Sequence, residues 1–351
     1  MRNVTIILII LLLSVLFFVS CKNNMVDESI TDNNKDIPEN DDTETKKEEP
    51  ESESQTEEDT TTDNTHELTE KKDIYFGYYR MSIEDYQVER TKGHLNVFLA
   101  TPNLTNPEET AKLIESVGKE GGKVWLYVWQ VVVASHSPFR FFDNWQERLN
   151  DMMSYFDERG VLPHILGFYL DEPFLCGFTK EDYVALTQYL HESWPEHRML
   201  SIFAVNAVEP EVWSSGNDCV LDPETAMYTT DAGFDMYWDV RDGGIAHYEK
   251  VVASLKKRFG RDDFNVWYVP CTMNYFGNKD EDYALAHTEA MYDFLKREKN
   301  PGGILCYAYD ILNHDGEIGN IGFHEMRDNA QNPWDRLENR LVEIGREILG
   351  E

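Results

Sequence analysis

Cationic side chains are scarce in this 351-residue sequence. Its 32 Lys and Arg stand against 65 Asp and Glu, a formal net charge of −33 at pH 7. A chain so acidic repels phosphate backbones and anionic lipid headgroups, which excludes a nucleic-acid or charged-membrane surface. Cysteine is also sparse, five in all, with no CxxC spacing, which excludes a zinc ribbon or finger. The ten His are scattered, and no His-x-His motif follows the first strand candidate, so a metal-dependent hydrolase centre is not expected. No Gly-x-Ser-x-Gly elbow occurs. No glycine-rich phosphate loop follows the first strand either, where the chain reads Gly77-Tyr78-Tyr79-Arg80. These patterns predict no metal and no cofactor.

Long apolar runs are limited to one, Val4 to Val19, preceded by Arg2 and followed by Ser20-Cys21. The run is short for a spanning helix, which needs ~20 residues. With a small residue before a cysteine at its end, it resembles a bacterial lipoprotein signal, cut before Cys21 so that the thiol can be lipidated. The expectation is a signal peptide at 1–21 and an exported protein, lipid-anchored to the bacterial cell membrane or cell surface, touching the membrane through that anchor only. Residues 22–72 are rich in Asp, Glu, Thr, Ser, Asn and Lys and almost devoid of aliphatic and aromatic side chains. Such a stretch cannot bury enough apolar surface to offset its chain entropy, so it reads as a disordered acidic linker. Its 18 acidic and 6 basic residues give −12 and Arg2 gives +1, leaving −22 for residues 73–351. The remaining cysteines are Cys176, Cys219, Cys271 and Cys306. Export permits disulfides, and Cys271 and Cys306 fall near the ends of consecutive strand candidates. Free buried thiols are the other reading.

Residues 73–351 alternate between short β-branched, aromatic-rich runs and amphipathic stretches. The runs predict strands at Ile74–Tyr79, Leu95–Ala100, Val124–Val132, Ile165–Leu170, Met199–Val205, Phe234–Trp238, Val266–Pro270 and Ile304–Tyr309. Helices are expected from Asn106-Pro107-Glu108-Glu109, at Trp145–Arg159, from Thr179 to about Trp194, and at Ala246–Phe259, Tyr283–Lys296 and Trp334–Leu349, with a weak one near Asp222–Tyr228. Eight strand–helix alternations predict one (β/α)8 TIM barrel over 73–351, of the α/β class, rather than an open doubly wound sheet.

The fourth strand candidate, Ile165-Leu166-Gly167-Phe168-Tyr169-Leu170, runs straight into Asp171-Glu172-Pro173. A strand apolar on both faces belongs in a covered parallel sheet, and carboxylates at its C-terminal end lie where a β/α barrel keeps its reactive groups. This segment resembles the strand-four signature of clan A glycoside hydrolases, which ends in Asn-Glu-Pro with the Glu as general acid/base; Asp171 stands in the place of the Asn. The resemblance implies a glycosidase acting on an oligo- or polysaccharide with Glu172 as its acid. It stops at strand seven, where the clan carries its nucleophile and this chain reads Tyr268-Val269-Pro270-Cys271-Thr272-Met273-Asn274. Strand six, Phe234-Asp235-Met236-Tyr237-Trp238-Asp239, faintly resembles the Met-x-Tyr-Asp motif of family 18 chitinases, whose strand-four pattern is absent here.

Glycoside hydrolysis ordinarily uses two carboxyl groups. The expected set is Glu172, with Asp171 as a neighbouring charge that raises its pKa, and Asp239 or Asp310 across the barrel. Helix capping or a salt bridge to Arg80 or Arg241 is the structural alternative for each Asp. Around them the rim candidates for sugar contact are Arg80, Trp129, Asn206, Tyr237, Trp238, Asn274 and Tyr309. Rings can stack on sugar C–H faces, while the amides and the guanidinium can hydrogen-bond hydroxyls. The competing expectation is a glycan-binding barrel without catalysis. His136 and His314 reach the same rim, and Cys271 would need a neighbouring base to act as a nucleophile.

Overall fold

The computed structural model describes residues 73–79, 93–212, 221–237, 240–274, 279–309, 312–314, 317–323, 326 and 333–351. The expected signal, linker and lipidated Cys21, together with Arg80, Cys219, Trp238, Asp239 and Asp310, lie outside the described residues. Eight strands, β1 (Tyr75–Tyr78), β2 (Val97–Ala100), β3 (Lys123–Tyr127), β4 (Ile165–Asp171), β5 (Arg198–Ala204), β6 (Asp231–Asp235), β7 (Asn265–Tyr268) and β8 (Pro301–Cys306), form one sheet in the order β1-β8-β7-β6-β5-β4-β3-β2. Every ladder between them is parallel. The longer helices among the described residues are α1 (Pro107–Lys119), α2 (Trp145–Glu158), α3 (Lys180–Ser193), α4 (Ile245–Phe259), α5 (Glu281–Arg297) and α6 (Asp335–Leu349). The (β/α)8 barrel is therefore present as expected.

The sheet closes at one seam. Between β1 and β2, Asn96 stands in for a ladder: its backbone N–H donates to Phe76 O (3.1 Å), its Oδ1 accepts from Phe76 N–H (2.7 Å), and its Nδ2 donates to Ile74 O (2.9 Å). A side-chain amide offers the same donor and acceptor as a peptide unit, so it can bridge two strand ends too far displaced for regular pairing.

Barrel strands present alternate residues to the interior, in layers drawn from alternate strands. The floor follows that rule. Tyr75, Trp125, Arg198 and Trp267 come from β1, β3, β5 and β7; Trp125 and Trp267 meet edge-to-face at 5.7 Å, Tyr75 stacks on Trp267 at 6.0 Å, and the Arg198 guanidinium lies over the Tyr75 and Trp125 rings. Arg198 forks onto the fully buried Asp231, which also accepts from Trp267 Nε1 (2.8 Å) and Thr230 Oγ1 (2.9 Å). The large layer fits because Gly167 and Gly303 occupy strand positions beside it. A Cβ on Gly303 would lie 2.9 Å from Trp267 Cζ3.

Helix starts follow local chemistry. Thr179 and Asp182 form a reciprocal capping box on α3, and Asp280 Oδ1 accepts from Tyr283 N–H at the head of α5. The chain departs from sequence expectation in three places. β3 ends at Tyr127, and its expected continuation becomes a helical turn, Trp129–Val132, followed by an antiparallel hairpin, Val133–His136 and Phe139–Phe141. The weak helix near Asp222–Tyr228 is absent: Asp222 Oδ1 takes the N–H groups of Glu224 and Thr225, a side-chain turn that competes with helical bonding. β6 lies earlier than its apolar residues suggest, because Asp231-Ala232-Gly233 enters the sheet on the strength of the buried Arg198 partner. No disulfide joins Cys176, Cys271 or Cys306 among the described residues.

Candidate active site

Inward-facing positions can be counted along each strand by twos. Aligned partners in the ladders share a face, so Tyr169 with Leu200, Asp171 with Ile202, and Ile202 with Gly233 fix the register across β4, β5 and β6. The series Gly167-Tyr169-Asp171, Asp231-Gly233-Asp235 and Gly303-Leu305 all turn inward. Their upper members meet at the C-terminal mouth in a small cleft. It is lined by Tyr79, Tyr169, Asp171, Glu172, Ile202, Asp235, Tyr237, Val269, Leu305 and Tyr307.

Asp171 and Glu172 are consecutive, and consecutive strand residues point to opposite faces. Both line the cleft because the backbone leaves the strand between them. Glu172 has φ +41°, the left-handed region, and among the described residues it is the non-glycine that adopts it. Its N–H donates to Ile202 O at 2.7 Å, which holds the turn against β5. The left-handed conformation disfavours any L-residue by roughly 1–2 kcal/mol, and such strain gathers where a side chain must be aimed.

The Asp171 carboxylate is fixed by two phenols. Tyr79 donates to Oδ2 (2.5 Å) and Tyr169 donates to Oδ1 (2.7 Å). Burial, and after it the Asp171 charge, pushes the Tyr169 phenol well above its usual range, so it stays a proton donor. On the facing side, Tyr237 donates to Asp235 Oδ2 at 3.4 Å. Burial raises the Tyr237 phenol, and Asp235, Tyr307, Cys271 and Glu172 add to it in that order. One phenol thus feels both the β4 glutamate and the β6 aspartate. Around the mouth, tyrosine rings touch in sequence. Tyr127 meets Tyr169 at 5.5 Å, Tyr169 meets Tyr79 at 6.2 Å, Tyr79 meets Tyr307 at 5.0 Å, and Tyr307 stacks on Tyr237 at 5.5 Å and 10°.

Of the residues expected from sequence, Glu172, Asp171 and Tyr237 come together in the cleft. Four others stand elsewhere. Trp129 is buried in an aromatic cluster and donates from Nε1 to His136 Nε2 at 3.1 Å. Asn206 lies in the short helix Val205–Val208. Asn274 Oδ1 accepts from Lys279 N–H at 3.3 Å. Tyr309 is 1% exposed and stacked on Tyr78. None of the four lines the cleft. Asp235 is the β6 carboxylate that lines the cleft, and a strand frame starting at Asp231 would have indicated it. Tyr169 was legible as the residue two before Asp171 on the same face. Tyr79 and Tyr307 follow from the same count on β1 and β8.

At the end of β7 the cleft is lined by Val269, with Cys271 buried beyond it. Cys271 N–H donates to His287 Nδ1 (3.2 Å), and His287 Nε2 bonds Tyr248 Oη (2.5 Å). The imidazole therefore serves the backbone of this turn, and the thiol points to Met273 O at 3.8 Å. Among the described residues no group of three or more His, Cys, Asp or Glu is placed to hold a metal ion.

No family model and no curated protein matches the sequence. Solved structures do resemble the fold. The GH5_18 protein from Streptomyces cattleya in complex with GlcNAc superposes with a TM-score of 0.51 at 14% identity, over 79% of this chain and 81% of that one. A variant of the same protein in complex with Manβ1-4GlcNAc gives 0.54 at 11% identity, over 78% and 80%. The β-glucuronidase of Bacteroides uniformis gives 0.45 at 11% identity, over 68% of this chain and 31% of that one. In fold, the chain is a glycoside hydrolase-like (β/α)8 barrel.

Proposed function

We propose that this protein is a glycosidase that hydrolyses an oligo- or polysaccharide in the cleft at the C-terminal end of its barrel, with Glu172 as general acid. The observation that carries the reading is the placement of Glu172. It directly follows β4, turned into the cleft by a left-handed backbone that a merely structural glutamate does not need. Glu172 donates a proton to the glycosidic oxygen as the bond to the anomeric carbon breaks, and a water supplies the hydroxyl that ends on that carbon and the proton that returns to the carboxylate pair. Asp235, on β6 in the same cleft, is the second carboxyl group that glycoside hydrolysis ordinarily needs; the sequence candidates Asp239 and Asp310 lie outside the described residues. Asp171, held by Tyr79 and Tyr169, keeps a negative charge fixed beside the acid. The tyrosine wall supplies faces for sugar C–H groups and hydroxyls for hydrogen bonds. A carbohydrate ligand also agrees with the sugars held by the structural neighbours.

A lipid on Cys21 places this activity at the bacterial cell envelope, with residues 22–72 as the spacer that holds the barrel away from the bilayer. Among the described residues no helix is long and apolar enough to cross a membrane.

The test is turnover of aryl glycosides and polysaccharides by the wild-type protein and by Glu172→Gln. Loss of a general acid lowers kcat by about 10²–10⁴-fold, and Asp235→Asn is expected to lower it comparably. Saturable glycan binding by the wild type with no turnover of any substrate makes the protein a non-catalytic glycan-binding barrel instead.

A further inference from the structure

A strand–helix unit of a barrel needs only a short loop after β3. Here the chain inserts the helical turn Trp129–Val132 and the hairpin Val133–Phe141 before α2 begins. The hairpin packs on α2, where Phe141 meets Trp145 at 5.4 Å, and on the turn that leaves β4. That turn is compact: Cys176 N–H donates to Glu172 O (2.9 Å), Gly177 N–H to Phe174 O (3.1 Å), and Phe178 N–H to Pro173 O (3.0 Å). Its far end is Phe178, 2% exposed, whose ring meets Phe139 at 4.5 Å, Trp129 at 5.1 Å and Phe141 at 5.4 Å. Gly177 has φ +103°, and a Cβ there would sit 3.1 Å from Phe139 Cβ, so hairpin and turn touch backbone to side chain. Trp129 in turn is held by His136, stacked at 5.0 Å and hydrogen-bonded at 3.1 Å. The residue at the near end of this clamped turn is Glu172, in the one backbone conformation of the cleft that needs external support.

We propose that the hairpin is a positioning element for Glu172: Phe139, packed on Gly177 and Phe178, clamps the 172–178 turn and so keeps the Glu172 carboxyl aimed into the cleft. Its catalytic consequence rests on the reading of Glu172 as the acid, but the clamp itself is measurable without turnover. A displaced acid impairs proton transfer more than sugar binding. Phe139→Ala is therefore expected to lower kcat by on the order of 100-fold, with KM within about twofold and Phe139→Leu restoring most of the loss. In a Glu172→Gln background the same Phe139→Ala change adds no further loss, because both changes act through one group. Amide hydrogen exchange supplies the second readout. In Phe139→Ala the Glu172 and Cys176 amides exchange at least about tenfold faster while those of α3 stay protected, as expected of a locally opened segment. Equal exchange at Glu172 and Cys176 in wild type and variant overturns the clamp, as do kcat losses that multiply in the double variant. Faster exchange at Glu172 and Cys176 in Phe139→Ala, where the wild-type protein turns over no glycoside, supports the clamp and refutes the glycosidase reading alone.

Discussion

If Glu172 is held at φ +41° for the sake of its carboxyl, replacing the side chain should separate backbone strain from chemistry. Glu172→Ala and Glu172→Gly both delete the acid, so both should lose glycosidase turnover equally, by about 10²–10⁴-fold. Their stabilities should differ. Alanine retains the left-handed penalty of roughly 1–2 kcal/mol because its Cβ still crowds the following carbonyl. Glycine escapes that penalty, but its freer unfolded chain costs about 0.5–1 kcal/mol. The balance predicts that Glu172→Gly is the more stable of the two by on the order of 0.5–1 kcal/mol. That is the reverse of the order at ordinary strand or helix positions. For a domain of this size it corresponds to a melting difference of roughly 1–4 °C. Denaturant unfolding of the two variants side by side, with equal m-values, gives the number directly. If Glu172→Ala is as stable as Glu172→Gly or more so, the turn imposes no strain at 172, and the argument that the fold gives up stability to aim this side chain fails.

Two further predictions concern the barrel. Asn96→Ala strips the partners from Phe76 N–H and Ile74 O at the β1–β2 seam; with about 1–3 kcal/mol for each buried unpaired group, a loss of roughly 2–5 kcal/mol is expected in denaturant unfolding, and a loss under about 0.5 kcal/mol would mean the seam closes by other contacts. His94 is buried against Tyr78 Oη (2.9 Å), and burial lowers its pKa from 6.5 to about 4; the unfolded chain takes up a proton that the folded chain resists, so stability falls as pH drops from about 6.5 to about 4, by on the order of 3 kcal/mol. His94→Gln should flatten the slope of unfolding free energy against pH in that window, and an unchanged slope would assign the acid lability to other groups.

The parallel strands were legible because both their faces are buried and their side chains accordingly apolar, as in Ile165–Leu170. The end of β4 was legible because charge appears there abruptly at Asp171 and Glu172. The β6 boundary was not, because Asp231-Ala232-Gly233 has no strand-like composition. Asp231 lies inside the sheet only because Arg198, 33 positions earlier, is its partner. The same shift of frame kept Asp235 off the list of candidates, while Asp239 lies outside the described residues. Trp129 and Tyr309 illustrate the converse. An aromatic just past a strand can face the rim or the core, and only the packing of Trp129 on Phe178 and of Tyr309 on Tyr78 decides which.

Composition and local pattern by themselves determined that residues 73–351 alternate strand and helix, that α3 begins at the Thr179–Asp182 capping box, and that a glutamate directly follows the fourth strand. Those properties depend on neighbours in the chain, through propensity, periodicity and capping. Tertiary structure alone decided that Asp235 lines one cleft with Glu172, that Asp171 is held by Tyr79 and Tyr169, and that Asn96 completes the barrel. Each of these joins strands distant in sequence, and inward orientation is set by ladder register. A register shift of one residue would turn Asp171 and Asp235 away from the cleft without altering any local preference.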